Sequence, residues 1–83
     1  MTSGWKYDRA LDTSGLKCPL PVLKARKVLM AMKPGERLMV TATDLLSAID
    51  MPHFAGESGN RILASATDGE RLSFLIERGS AGE

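Results

Sequence analysis

A single cysteine, Cys18, and a single histidine, His53, are all that the chain holds of the two side chains most used for metal and redox chemistry. One thiol cannot close an intramolecular disulfide or run a Cys-x-x-Cys dithiol cycle. One cysteine with one histidine also falls short of a structural zinc site, so no metal is expected; no cofactor is expected either. Aromatic residues make up only 5% of the chain, and its apolar runs are far shorter than the roughly 20 residues that span a bilayer. The N-terminus lacks the basic and apolar regions of a signal peptide, and a cytoplasmic protein is expected. The 83 residues, 43% hydrophobic and 25% charged, suit one globular domain over 1–83, with its ordered core at 5–78. The small size and the lack of an obvious apolar patch favour a monomer.

Acidic residues are missing from one segment. Between Thr13 and Gly35 stand five basic residues (Lys17, Lys24, Arg26, Lys27, Lys33) and no acidic one, whereas the rest of the chain carries six basic and ten acidic side chains. The formal net charge of +1 conceals this asymmetry. Such a basic segment steers acidic partners toward itself, although a solvated helix face is the plainer reading.

Cys18 lies inside that segment, in Gly15-Leu16-Lys17-Cys18-Pro19-Leu20-Pro21. Proline is favoured at the first helical position, so Pro19 makes Cys18 the expected N-cap. Ser, Thr, Asp or Asn would cap better, by about 1 kcal/mol over a non-capping residue. A thiol there suggests reactivity, because a helix N-terminus and nearby cations can lower a cysteine pKa from about 8.5 to roughly 3.5–7.5. A small buried residue beside a helix start is the alternative. Pro21 falls in the first turn, where its missing donor is harmless, and Leu20 falls on the exposed side of the helix with Lys24 and Lys27.

The periodicity gives the order β-α-β-α-β-β. Trp5-Lys6-Tyr7-Asp8 alternates as a strand reaching Leu11 or Asp12, and Gly15 permits the turn that follows. A helix is expected over Pro19–Lys33, with Val22, Ala25, Val28, Leu29 and Met32 on its apolar stripe. Pro34-Gly35 stops it. Arg37–Thr43 reads as a strand with Leu38, Val40 and Ala42 on one face. In the second helix, either Ser47 begins a helix kinked at Pro52 or Asp50 caps a shorter one, and His53 reads as a surface residue. Arg61–Thr67, with Ile62, Ala64 and Ala66 on one face, and Arg71–Arg78, with Leu72, Phe74 and Ile76, form a hairpin joined by Asp68-Gly69 in a type I′ turn. Residues 79–83 and Met1–Gly4 read as loose ends. One mixed four-stranded sheet with both helices on one face, an α+β two-layer sandwich, fits this order.

Leu11-Asp12-Thr13-Ser14-Gly15-Leu16-Lys17-Cys18-Pro19-Leu20-Pro21 resembles the TusA (SirA-like) family of small sulfur carriers, whose signature is Cys-Pro-x-Pro preceded by Leu-Asp and Gly-Leu. Pro34-Gly35-Glu36, Thr43-Asp44, Asp50-Met51-Pro52 with Phe54, and Gly59-Asn60 extend the resemblance across residues 10–78. It implies a sulfurtransferase in which Cys18 takes sulfane sulfur as a persulfide from a cysteine desulfurase or rhodanese-like donor and passes it to a downstream acceptor protein. Uses known in the family include tRNA thiolation, molybdenum cofactor assembly and sulfur oxidation. Lys17, Leu20, Lys24, Arg26 and Lys27 are the expected docking residues. The chain departs from the family pattern at Leu45, where proline commonly follows the aspartate, and at Leu20, where some tRNA-pathway members carry an acidic residue.

Persulfide relay needs a thiolate that attacks a donor's terminal sulfur and then presents that sulfur to a second thiolate. The alternative is a redox or regulatory module, for which a resolving cysteine would have to come from another molecule. Direct nucleic-acid binding has little support, since no aromatics interleave the basic residues.

Overall fold

The computed structural model describes residues 4–79. The expectations for Met1–Ser3 and for residues 80–83 lie outside that range. Six elements follow the expected order: β1 Arg9–Thr13, α1 Leu20–Met30, β2 Arg37–Ala42, α2 Ser47–Glu57, β3 Arg61–Asp68 and β4 Arg71–Glu77. The sheet runs β1-β2-β4-β3, with β1 parallel to β2 and the other pairs antiparallel.

Strand β1 starts later than its alternation suggests. Arg37 opens β2, and its N–H donates to the Asp8 carboxylate at 2.9 Å rather than to a strand partner. The ladder therefore begins at the Arg9–Leu38 pair, and Trp5–Asp8 leads into the strand instead of belonging to it.

One face of the sheet carries the core. Leu38, Val40 and Ala42 of β2 are fully buried, as the alternation indicates, and they lie opposite Ile76, Phe74 and Leu72 of β4. Onto this face pack Ala25, Leu29 and Met32 from α1 and its exit, and Met51 from α2, with Val22, Val28, Leu11, Phe54 and Ile62 at the margins. Pro21 joins Ala25 and Leu29 as a buried position of α1, so the apolar stripe starts one residue earlier than expected and Val22 is only half-buried. The helix stops at Met30 rather than Lys33, because the N–H groups of Ala31 and Met32 turn to Val28 and Leu29, three residues back. Gly35 then follows with φ of 89°.

In α2 the helix runs from Ser47 through Pro52 without stopping. Pro52 removes one backbone donor, and both it and Ala48, whose carbonyl loses that partner, are exposed. Met51 is fully buried, whereas Ile49 is 70% exposed, so Met51 marks the helix's inner face. His53 is on the surface and pairs with Glu57 at 3.2 Å.

Strand β3 departs from simple alternation. Its register with β4 slips between Ile62 and Ala64, leaving Leu63 as the extra residue of a bulge. Ile62 therefore faces the core opposite Ile76, while Ala64 and Ala66 lie opposite Leu75 and Ser73 on the other side of the sheet. The expected common face of Ile62, Ala64 and Ala66 is broken by that one residue. The hairpin turn is displaced as well. Asp68 pairs with Arg71, so Gly69 and Glu70 form the tip. Of these only Gly69 has a positive φ, at 61°, as a type II′ turn requires, and not the type I′ turn expected. Gly79 belongs to the ordered structure, its N–H donating to Asn60 Oδ1 at 3.0 Å.

Candidate functional site

Parallel pairing brings the C-terminal ends of β1 and β2 to one edge of the sheet, and the loops that leave them for α1 and α2 lie side by side there. Ligand and reaction sites of parallel sheets favour this position. The strand ends are joined by Thr13 Oγ1 donating to Thr41 O at 2.6 Å, and the two loops by the Gly15 N–H donating to Thr43 Oγ1 at 2.8 Å. Gly15 takes φ of 83°, and the N–H of Leu16 closes the turn on Thr13 O.

Cys18 emerges from this turn and is exposed. Its N–H donates to Asp44 Oδ2 at 2.7 Å, and its thiol donates to Asp50 Oδ2 at 2.6 Å. Asp44 uses its other oxygen to accept the N–H of Leu46 at 3.0 Å, which fixes the approach to α2. Asp50 lies on the first turns of α2, next to the buried Met51.

Cys18 departs from two expectations. It is not the N-cap: Pro19 holds that position, α1 begins at Leu20, and no side chain caps the helix. The first helical N–H groups turn to backbone, Leu20 N–H to Lys17 O and Leu23 N–H to Pro19 O, and Pro21 has none to give. The thiol pKa is also raised rather than lowered. The hydrogen bond to Asp50 is the main cause, followed by partial desolvation and then by the negative charges of Asp50 and Asp44. A carboxylate accepting the thiol hydrogen favours the protonated form. Asp44 is shifted the opposite way, held below the usual carboxylate range by the two backbone donors it accepts and further by the charge of Lys17.

A shallow cleft of about 580 Å³ opens beside the thiol, lined by Lys17, Cys18, Thr43, Asp44, Leu45 and Leu46 among others. Of the expected docking residues, Lys17 lines this cleft. Leu20, 45% exposed, stands two residues beyond the thiol, and Lys24 and Lys27 lie exposed along α1. Arg26 faces elsewhere, into a second cavity of about 480 Å³ between the C-terminal ends of α1 and α2. The sequence pattern does not indicate Asp44, Asp50, Leu45 and Leu46 as neighbours of the thiol. Their positions depend on hydrogen bonds between residues 26 and 32 apart, which periodicity does not register. Among the described residues no group of three or more His, Cys, Asp or Glu side chains could hold a metal ion, and no helix is long and apolar enough to cross a membrane.

Residues 9–78 match the model of the family described as sulfurtransferase TusA. The chain belongs to the TusA family. It is 46% identical over 72 residues to the sulfur carrier protein TusA of Allochromatium vinosum, a match covering 87% of this chain and 95% of that one. The fold is likewise that of a SirA-like protein from Desulfitobacterium hafniense, whose crystal structure superposes with a TM-score of 0.77 at 23% identity, over 88% of this chain and all of the other. Within this TusA frame Cys18 is the one thiol, and it stands at the edge where the loops after β1 and β2 meet.

Proposed function

We propose that this protein is a sulfur carrier that accepts sulfane sulfur as a persulfide on Cys18 and passes it to an acceptor protein. The observation that carries the reading is an exposed lone thiol held on a rigid turn, beside an open cleft rather than an enclosed pocket. In loading, Cys18–SH and a donor persulfide give Cys18–S–SH and the donor thiol. A sulfur–sulfur bond forms at Cys18, one breaks on the donor, and the Cys18 proton ends on the donor's sulfur. No oxidant is consumed. With no second cysteine in the chain, nothing intramolecular discharges the persulfide.

Gly15, Pro19 and Pro21 frame the thiol. A cysteine desulfurase or rhodanese-like protein is the donor class that fits, docking over Lys17, Leu20, Lys24 and Lys27 with Arg26 at the far margin, in the cytoplasm. The raised thiol pKa bears on rate in two ways. Fewer molecules carry a thiolate, but a thiolate of higher pKa is the stronger nucleophile once formed. It also disfavours a redox sensor, whose thiol is expected to be acidic.

Intact mass after incubation with a cysteine desulfurase and free cysteine tests the proposal. Wild type gains the mass of one sulfur and loses it to a reductant, whereas Cys18→Ser gains none and keeps its fold. An equal gain by Cys18→Ser would overturn the assignment.

A further inference from the structure

We propose that Asp50 makes Cys18 a poor holder of sulfur, so that the loaded carrier discharges readily. This rests on the reading of Cys18 as the persulfide site and assigns Asp50 a positioning role in that reaction. In the empty protein the thiol hydrogen lies on Asp50 Oδ2, with sulfur and oxygen 2.6 Å apart. Loading removes that hydrogen from Sγ, which is then bonded to carbon and to the added sulfur. The terminal sulfur stands about 2.05 Å beyond Sγ. Oδ2 is thereby left facing a sulfur with nothing to donate.

Nothing nearby restores the balance. Asp44 is already committed, one oxygen to the N–H of Cys18 and the other to that of Leu46. Among the described residues the ion pairs are Arg37–Glu77 and His53–Glu57, and neither neutralises Asp50. Lys17 acts on Asp44. A persulfide that ionises therefore meets an uncompensated carboxylate, and like charges at close range disfavour the loaded form further. Asp50 is also held in place: its N–H donates to Leu46 O at 2.9 Å, and the adjoining Met51 is fixed in the core. The carboxylate thus favours the empty state over the ionised persulfide, through a hydrogen bond that Sγ can donate only as a thiol. Exchange replaces one sulfur–sulfur bond by another, so a modest difference of this kind sets the direction of net transfer.

The test is the loading equilibrium of the full chain against a fixed ratio of glutathione persulfide to glutathione, read by intact mass. Wild type, Asp50→Asn and Asp50→Ala are compared, with thermal melts to confirm folding. Either variant is expected to raise the loaded-to-empty ratio about two- to fivefold, the range for an interaction of exposed charge. An unchanged or lowered ratio in a folded variant overturns the role of Asp50 while leaving the carrier reading intact. Failure of wild type to load at all, or loading of Cys18→Ser, overturns the carrier reading itself.

Discussion

Cys18 and Asp44, 26 residues apart, are joined through the N–H of the first and a carboxylate oxygen of the second at 2.7 Å. The bond ties the Cys18 turn to the start of α2. Its pH dependence follows from the direction of the Asp44 shift. Two backbone donors lower the folded pKa below the ordinary 3.8, so the carboxylate contributes stability above the unfolded value and loses it as pH falls through the folded one. Melting temperature should therefore fall on acidification below about pH 4, the ordinary carboxylate range. Asp44→Asn should melt lower at neutral pH and show a shallower acid slope. Identical slopes for the two proteins would refute the linkage.

The Cys18 thiol shifts in the other direction. Donation of its hydrogen to Asp50 raises the folded pKa, so this contribution to stability is present below the unfolded thiol pKa and is lost as pH rises through the folded one. Alkylation by iodoacetamide, followed against pH, should have its midpoint above the ordinary value of about 8.5, and Asp50→Asn should bring it down. A midpoint below 8 in wild type, roughly the depressed range of helix-activated cysteines, would be the contrary result.

Lys24 and Lys27 are exposed on α1, away from the core. Reversing both charges should slow sulfur transfer from a donor protein at low salt, with the deficit shrinking as ionic strength rises, and should leave the melting temperature nearly unchanged. Stopped-flow transfer rates measure this. Equal rates at low salt would make the basic face an ordinary solvated surface.

Leu29 is 1% exposed at the centre of the helix–sheet contact. Leu29→Ala should cost about 2–5 kcal/mol in unfolding free energy, from lost burial and the cavity left behind. Chemical denaturation gives the value directly. The folded fraction should retain normal Cys18 alkylation, because α1 meets the thiol through its first turn and Leu29 lies toward its other end.

Much of this architecture is legible in the residue pattern because burial imposes it locally. Leu38, Val40 and Ala42 alternate and are all buried, whereas α1 ends at Met30, before the Pro34-Gly35 stop that the sequence offers. What escapes the pattern is what a single residue or a distant partner decides. Leu63 inverts the facing of Ala64 and Ala66 without any break in composition. The thiol offers a sharper case. Its position in a basic, proline-initiated segment points to an acidified cysteine, yet the groups that reach it are Asp44 and Asp50, supplied by the loop after β2 and by α2. Charge density along the chain is a poor guide when tertiary contacts replace the neighbours.

Strand β4, the last of the chain, lies between β2 and β3, and its Leu72, Phe74 and Ile76 supply a large share of the core. During synthesis, then, the first three strands and both helices emerge before the element that joins β2 to β3. The sheet order therefore leaves β2 and β3 without a shared neighbour until β4 is in place. The Cys18 turn and its Asp50 partner both belong to segments that precede the strand closing the core under them.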